Sequence, residues 1–333
     1  MSTSAGTKPV VAALAGNTFV FIIKCVAAAI SGSSALFSEA VHSFADTANQ
    51  LMLFIGLRRS KKKADQDFAY GYGNERFFWA LLSACSIFFV GAGVTIYEGI
   101  HTLHEGGPVV FKPIIFAVLF ISGLVEVYTF VVAARELKHQ FPDLTLKERL
   151  QEGDPATLAV YLEDGVAVFG LIIACVSIGL TYLTGNTIWD GIGSIVIGAC
   201  LGTVAVVLIM KNKAFLMGQT IDEKLKEMLI AELEADPAIE KVIDFKSTVL
   251  DIGTCRIKCE VEFNGHVVLR EAYQNPSLED EHKRMEGEYE EFLKFCVEFA
   301  DRVPRLMGKR IDEIEKRLKA RYPEVRHIDI EIN

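Results

Sequence analysis

The sequence has no surplus of positive charge. Its 34 Lys and Arg are outnumbered by 43 Asp and Glu, for a formal net charge of −9. No basic surface dominates, which excludes nucleic acid as the main partner. A cysteine framework is lacking too: the seven cysteines are odd in number, and four of them (Cys25, Cys85, Cys175, Cys200) lie inside apolar runs. Reduced thiols facing cytosol or lipid fit that scatter better than disulfides. Cys255 and Cys259 lack zinc-ribbon spacing and sit in an alternating, strand-like pattern, so they are not read as a metal site. Also missing are a nucleophile paired with a base and an open catalytic metal triad, so the chain is not expected to be an enzyme. Nothing resembles a selectivity filter or a ring of pore charges, which sets an ion channel aside.

Positive charge is scarcest in the first 210 residues, which hold only 13 of the 34 Lys and Arg. With 51% hydrophobic residues and a mean hydropathy of +0.30, the 333-residue chain is too apolar for a soluble enzyme of its size. The break near Met210 divides it into a membrane domain, 1–210, and a soluble C-terminal domain, 211–333. Six apolar stretches, at about 10–30, 35–57, 77–99, 112–134, 158–182 and 188–210, are each long enough to cross a roughly 30 Å hydrocarbon core as a helix. A soluble helical protein would have to bury all six against one another. The leader MSTSAGTKP runs directly into the first full-length stretch and is not expected to be a cleaved signal.

Basic residues crowd two connections: Arg58, Arg59, Lys61, Lys62, Lys63 and Arg76 between stretches 2 and 3, and Arg135, Lys138, Lys147 and Arg149 between 4 and 5. The SGSS and TGNT turns carry none, and the 3–4 loop has only Lys112 at its edge. The positive-inside rule therefore predicts that both termini and the soluble domain are cytosolic; the expected host is a plasma or inner membrane, since no presequence is read in the leader.

Charges inside apolar spans are costly and usually functional. The second stretch, SALFSEAVHSFADTANQLMLF, carries Glu39, His42 and Asp46. His42 and Asp46 are four residues apart, on one helical face. An imidazole nitrogen and a carboxylate converging from one side make half of a tetrahedral site for Zn²⁺. The fifth stretch opens ATLAVYLEDGVAVFG, with Glu163 and Asp164 adjacent. Neighbouring residues point about 100° apart on a helix, so one carboxylate can face the second stretch while the other faces a different neighbour. A bound dication removes the need to protonate buried carboxylates. Lys24 in the first stretch and Glu126 in the fourth are expected to form an interhelical ion pair. Asp190 is expected to cap the sixth helix.

These residues resemble a known family. The run SGSSALFSEAVHSFADTANQ, the loop AYGYGNERFFWALL and the stretch DPATLAVYLEDGVAVFG are similar to those of the cation diffusion facilitators, in the zinc transporter 9-like branch, over roughly residues 10–260. The resemblance implies homodimeric transporters with six membrane helices and a cytosolic ferredoxin-like domain, which exchange Zn²⁺ or a similar dication for protons. It implies that His42 and Asp46 form the second-helix half of the transport site and that Asp164 ends the fifth-helix half. The family's usual ligand four residues before Asp164 is here Val160. Glu163 is the expected substitute, with Asn49 in reserve. Phe68 and Tyr72 stand where the family's loop metal site has histidines, leaving Asp65 alone, so no loop site is expected.

The C-terminal domain reads as a helix at about 222–236, strands at 241–250 and 255–263, a long helical region at about 278–320 broken by Pro304, and a last strand RHIDIEIN. This αββαβ order suits a small two-layer α+β domain; the resemblance makes it ferredoxin-like. His266, His282, His327 and Asp329 are its candidate metal ligands, and a dimer-forming role is the stronger expectation. Expelling a dication against an inside-negative potential costs roughly 4–5 kcal/mol per 100 mV. Protons entering by the same ligands would drive it, in an alternating-access antiporter whose substrate is Zn²⁺, or Mn²⁺, Co²⁺ or Fe²⁺. The alternative is a membrane metal sensor or scaffold that no longer transports.

Overall fold

A computed structural model of the chain describes residues 7–31, 34–105, 113–140, 142, 145–186, 188–274 and 276–333. It divides into two compact units, Met1–Met217 and Gly218–Asn333.

The first unit is helical: α1 (Thr7–Ser31), α2 (Ser34–Arg59), α3 (Glu75–Ser86), α4 (Gly93–Glu105), α5 (Pro113–Gln140), the short α6 (Leu146–Glu152), α7 (Pro155–Thr184) and α8 (Ile188–Leu216). A π-helical segment, Ile87–Ala92, joins α3 to α4 as one continuous rod. Four stretches among the described residues are long and apolar enough to cross a membrane: Thr7–Ala27, Glu75–His104, Pro155–Thr181 and Ile188–Leu216, with mean hydropathy from 2.0 to 2.5. Helices α2 and α5, of 26 and 28 residues, pack beside them.

Local signals set the helix ends. Asp154 caps α7 by accepting from the Thr157 amide at 2.8 Å, and Pro155 follows at the first helical position, where its missing N–H costs nothing. Gly185 ends α7 in the left-handed conformation (φ 65°), which a glycine adopts without strain. At α8, the Asn186 side chain accepts from the Ile188 amide at 3.0 Å, while Asp190, expected as the cap, lies inside the first turn.

The helices alternate in direction. The starts of α3 and α7 meet through Arg76 and Asp154, 3.0 Å apart. Phe77, at the start of α3, stacks on Phe215, at the end of α8, with ring centroids 4.5 Å apart. Lys211 of α8 donates to the Leu150 carbonyl just before α7 at 2.9 Å. At the opposite end, α4 and α8 touch through Gly99 and Gly191; a Cβ on Gly99 would lie 2.9 Å from the Gly191 carbonyl oxygen, so only glycine permits that approach.

The second unit holds α9 (Glu223–Glu234), β1 (Ile239–Asp251), β2 (Thr254–Phe263), α10 (Gly265–Ala272), α11 (Leu278–Met285), α12 (Tyr289–Arg321) and β3 (Val325–Ile332). Its sheet has the order β1-β2-β3, antiparallel between β1 and β2 and parallel between β2 and β3. The parallel step needs a long crossover, which α10 to α12 supply. One face buries Leu229, Leu233, Ile257, Val261, Ile314 and Leu318. The expected break at Pro304 is wrong: α12 runs through it, and the interruption lies at Gly287 (φ 82°). Proline removes an N–H donor to the carbonyl four residues earlier. Here both Pro304 and Ala300 are exposed, so water solvates that carbonyl and the helix continues.

Candidate functional site

The sequence-predicted site falls on α2 and α7. His42 and Asp46 are one turn apart on α2; the side chain of His42 lies outside the described residues. Asp46, Glu163 and Asp164 all line one cavity of about 220 Å³, together with Asn49, Lys24 and Glu126. Glu163 and Asp164 are buried, at 8% and 3% exposure. Among the described residues, no three His, Cys, Asp or Glu side chains already stand close enough to hold one ion.

The two neighbouring carboxylates face different helices. Glu163 accepts from Gln50 Nε2 at 2.9 Å and, at a long 3.5 Å, from Asn49 Nδ2, tying α7 to α2. Asp164 faces Thr129 and Glu126 of α5 as well as Asp46. Its Oδ2 is buried with no hydrogen-bond partner among the described residues. A carboxylate oxygen left so is under-compensated for its desolvation and suits a cation. The π-helical segment contributes Ile87 and Gly91 to the cavity wall; such segments are frequent at functional sites because they offset a helix locally.

Val160, at the position where the resembled family has a ligand, is fully buried in an apolar cluster with Leu53, Leu158 and Leu208. Asn49, the reserve ligand, lines the cavity. Lys24, 4% exposed, and Glu126 lie on the walls of the same cavity.

Sequence reasoning missed three groups. Gln50 is fully buried and donates to Glu163; it extends the i, i+4 row of His42 and Asp46, which was the available signal. Arg76 was counted among the basic loop residues but is 3% exposed and paired with Asp154. Asp65, read as standing alone, accepts from Lys62 Nζ and Tyr72 Oη, both at 2.8 Å, and from the amides of Asp67 and Phe68. The Lys62 and Tyr72 hydrogen bonds hold its pKa down to about 2, so its oxygens are committed to shaping the turn.

The candidates in the second unit are dispersed. His266 is on α10, His282 on α11, and His327 and Asp329 on β3. Asp329 pairs with Arg256 at 2.8 Å. Burial, then the charges of Arg326, Lys319 and Arg256, hold the His327 pKa below its ordinary value, surroundings that repel a dication. Burial pushes the Cys255 and Cys259 thiols up to about 11 and about 12.

Comparison with known proteins gives a match to the cation efflux transmembrane domain over residues 10–217. The proton-coupled zinc antiporter SLC30A9, mitochondrial, of Xenopus laevis is 35% identical over 98% of this chain and 59% of its own length. The mouse protein of that name is 35% identical over 98% of this chain and 58% of its own. Metal tolerance protein C4 of Arabidopsis thaliana is 34% identical over 97% of this chain and 73% of its own length. The chain thus spans about three fifths of the two antiporters.

Proposed function

The chain belongs to the cation efflux family, a family of transporters and not of enzymes, and on that premise we propose that it moves a divalent cation across a bilayer in exchange for protons. The substrate is Zn²⁺ first, in keeping with the zinc antiporters it is similar to, with Mn²⁺, Co²⁺ and Fe²⁺ as alternatives. His42, Asp46, Glu163 and Asp164 hold it, and both halves of the site belong to one chain. The observation that carries this reading is that carboxylates from α2 and α7 line one cavity. Six helices span the membrane: α1, α2, the α3–α4 rod, α5, α7 and α8. The end bearing Arg58, Arg59, Lys138 and Arg149 faces the cytosol of a plasma or inner membrane, or the matrix in a mitochondrial host.

Protons drive the cycle by alternating access. His42 and the carboxylates must lose protons to bind metal, and protons regained on the far side release it. The C-terminal unit is a ferredoxin-like module that pairs two chains. Support for pairing comes from α12, whose Tyr289, Phe292, Leu293 and Val297 form an exposed apolar stripe, 75%, 50%, 51% and 64% accessible.

Purified protein in liposomes should take up zinc only when a pH gradient is imposed, and a protonophore should stop it. Binding without any gradient-driven flux would favour the sensor reading, to which Val160 in place of a ligand lends its weight.

A further inference from the structure

The cavity is one-sided. On α7 it begins at Glu163 and Asp164 and continues to Ala174, away from the start of the helix. Each neighbouring helix contributes wall from the same side, as with Ile87 and Gly91 after α3, Ser122 early in α5, and Ile197 early in α8. Toward the end where α7 begins, that level is occupied by the apolar cluster. Its members Leu53, Leu57, Ala80, Ala84, Ala159 and Leu208 are all 0–2% exposed. Beyond this dry layer lies the Arg76–Asp154 pair, whose side chains are 3% and 0% exposed.

That pair is more than a helix start. Capping α7 uses only Asp154 Oδ2, which accepts from the Thr157 amide and hydroxyl at 2.8 and 2.9 Å. Oδ1 is given to Arg76. Removing both ions from water is expensive, and apolar residues of similar volume often serve stability as well. What an ion pair adds is bistability. It is strong while dry, but once water reaches it the two ions separate at little cost. Asp154 lies nine residues before Glu163, roughly 14 Å along one rigid helix, so movement at the pair is delivered to the ligands.

We propose that Arg76 and Asp154 are the latch of the transport path. With the pair made, α7 is held against α3 and the site communicates only with the side on which α7 ends. With the pair broken, water enters the apolar layer and the site reaches the other side. This rests on the transport-site reading of Asp46, Glu163 and Asp164.

The test uses detergent-solubilised full chain, both ends in water, in a background whose seven cysteines are replaced. Two small-residue reporters are placed: Ser83→Cys, on α3 and fully buried in the dry half, and Ala174→Cys, on α7 and partly exposed on the cavity wall. A water-soluble maleimide should label the second and spare the first. Asp154→Asn keeps an oxygen to cap α7 but loses the charge, and Ser83→Cys should then label about tenfold faster or more, with Ala174→Cys no faster. Arg76→Gln, acting from the other partner, should do the same. Unchanged labelling of Ser83→Cys in both variants would overturn the latch, and so would equal acceleration at both reporters, which marks general loosening. Equilibrium zinc binding by the parent protein judges the site separately: its absence defeats the transport-site reading, while the reporters still decide whether the pair closes that end.

Discussion

The two units treat buried carboxylates in opposite ways. In the C-terminal unit, Asp236 is almost fully buried and fully compensated: Arg310 and Arg317 donate to it at 3.0 and 2.9 Å, and the Ala238 amide at 3.1 Å. In the membrane unit, among the described residues, Glu163 receives only amide donors and one oxygen of Asp164 has no hydrogen-bond partner. A soluble domain that buries a charge without compensation loses stability. A transport site needs the opposite, because a fully satisfied carboxylate has nothing to offer a dication that must give up its water.

The strongest challenge to that contrast is to remove carboxylates that line the cavity of the membrane unit. Asp46→Ala or Asp164→Ala should abolish zinc flux into liposomes while leaving the protein folded, since each would remove a proposed ligand. Full transport by Asp164→Ala protein would defeat the site. His42→Asp should retain some flux and shift preference from Zn²⁺ toward Mn²⁺, because all-oxygen sites favour harder ions; competition between the two metals measures it. Conversely, Leu318→Ala in the fully buried core of the second unit should cost about 2–5 kcal/mol and leave zinc binding by the first unit unchanged. Hydrogen exchange should quicken in β2 and α12 but not in α7; faster exchange in α7 would mean that the units are not independent.

A finer cut concerns Glu163, the carboxylate with amide donors. If it is the fourth ligand, Glu163→Gln should weaken zinc binding about tenfold or more, 1.4 kcal/mol upward. Unchanged affinity there, with loss on Asn49→Ala, would move that ligand to α2.

The contrast also explains what could be read in advance. Charges inside apolar runs are rare enough to stand out, so Asp46, Glu163 and Asp164 were legible as a group before any fold was known. The αββαβ order of the second unit was legible as well, because strand alternation and amphipathic helices leave periodic traces. Helix α10 was not foreseen, although Asn264 marks its start; α11 falls inside the expected helical region, at whose start the Ser277–Asp280 capping box stands, and only its separation from α12 at Gly287 was missed. Arg76 was misread for a different reason. An arginine among Lys61, Lys62 and Lys63 looks like one more loop charge, and only the approach of a helix start 78 residues away turns it into a buried partner. Pro304 misled because a proline's cost depends on whether water can reach the carbonyl it strands, which is a tertiary property.

The smallest effect expected is the acid response of the compensated carboxylate. Burial raises the Asp236 pKa, but the Arg317 hydrogen bond, the Ala238 amide and Arg310 outweigh it, and the net direction is down. A carboxyl whose folded value lies below its unfolded one contributes stability that is complete above the unfolded value, about 3.9 for Asp. That contribution is lost as pH falls through the folded value. The second unit should therefore hold its stability from neutrality to the ordinary carboxylate range and weaken below it. In that window Asp236 adds up to one proton to the slope. Asp244 and Glu291 are also lowered by their lysine partners but are partly exposed, so added salt should screen more of their share than of that of Asp236. Asp236→Asn should leave the unit less stable at neutral pH and shallower in its acid response, followed by hydrogen exchange in β1 and α12 across pH at high salt. Parallel profiles for variant and parent would mean that the two arginines do not hold this carboxylate, and the contrast between the units would lose its second half.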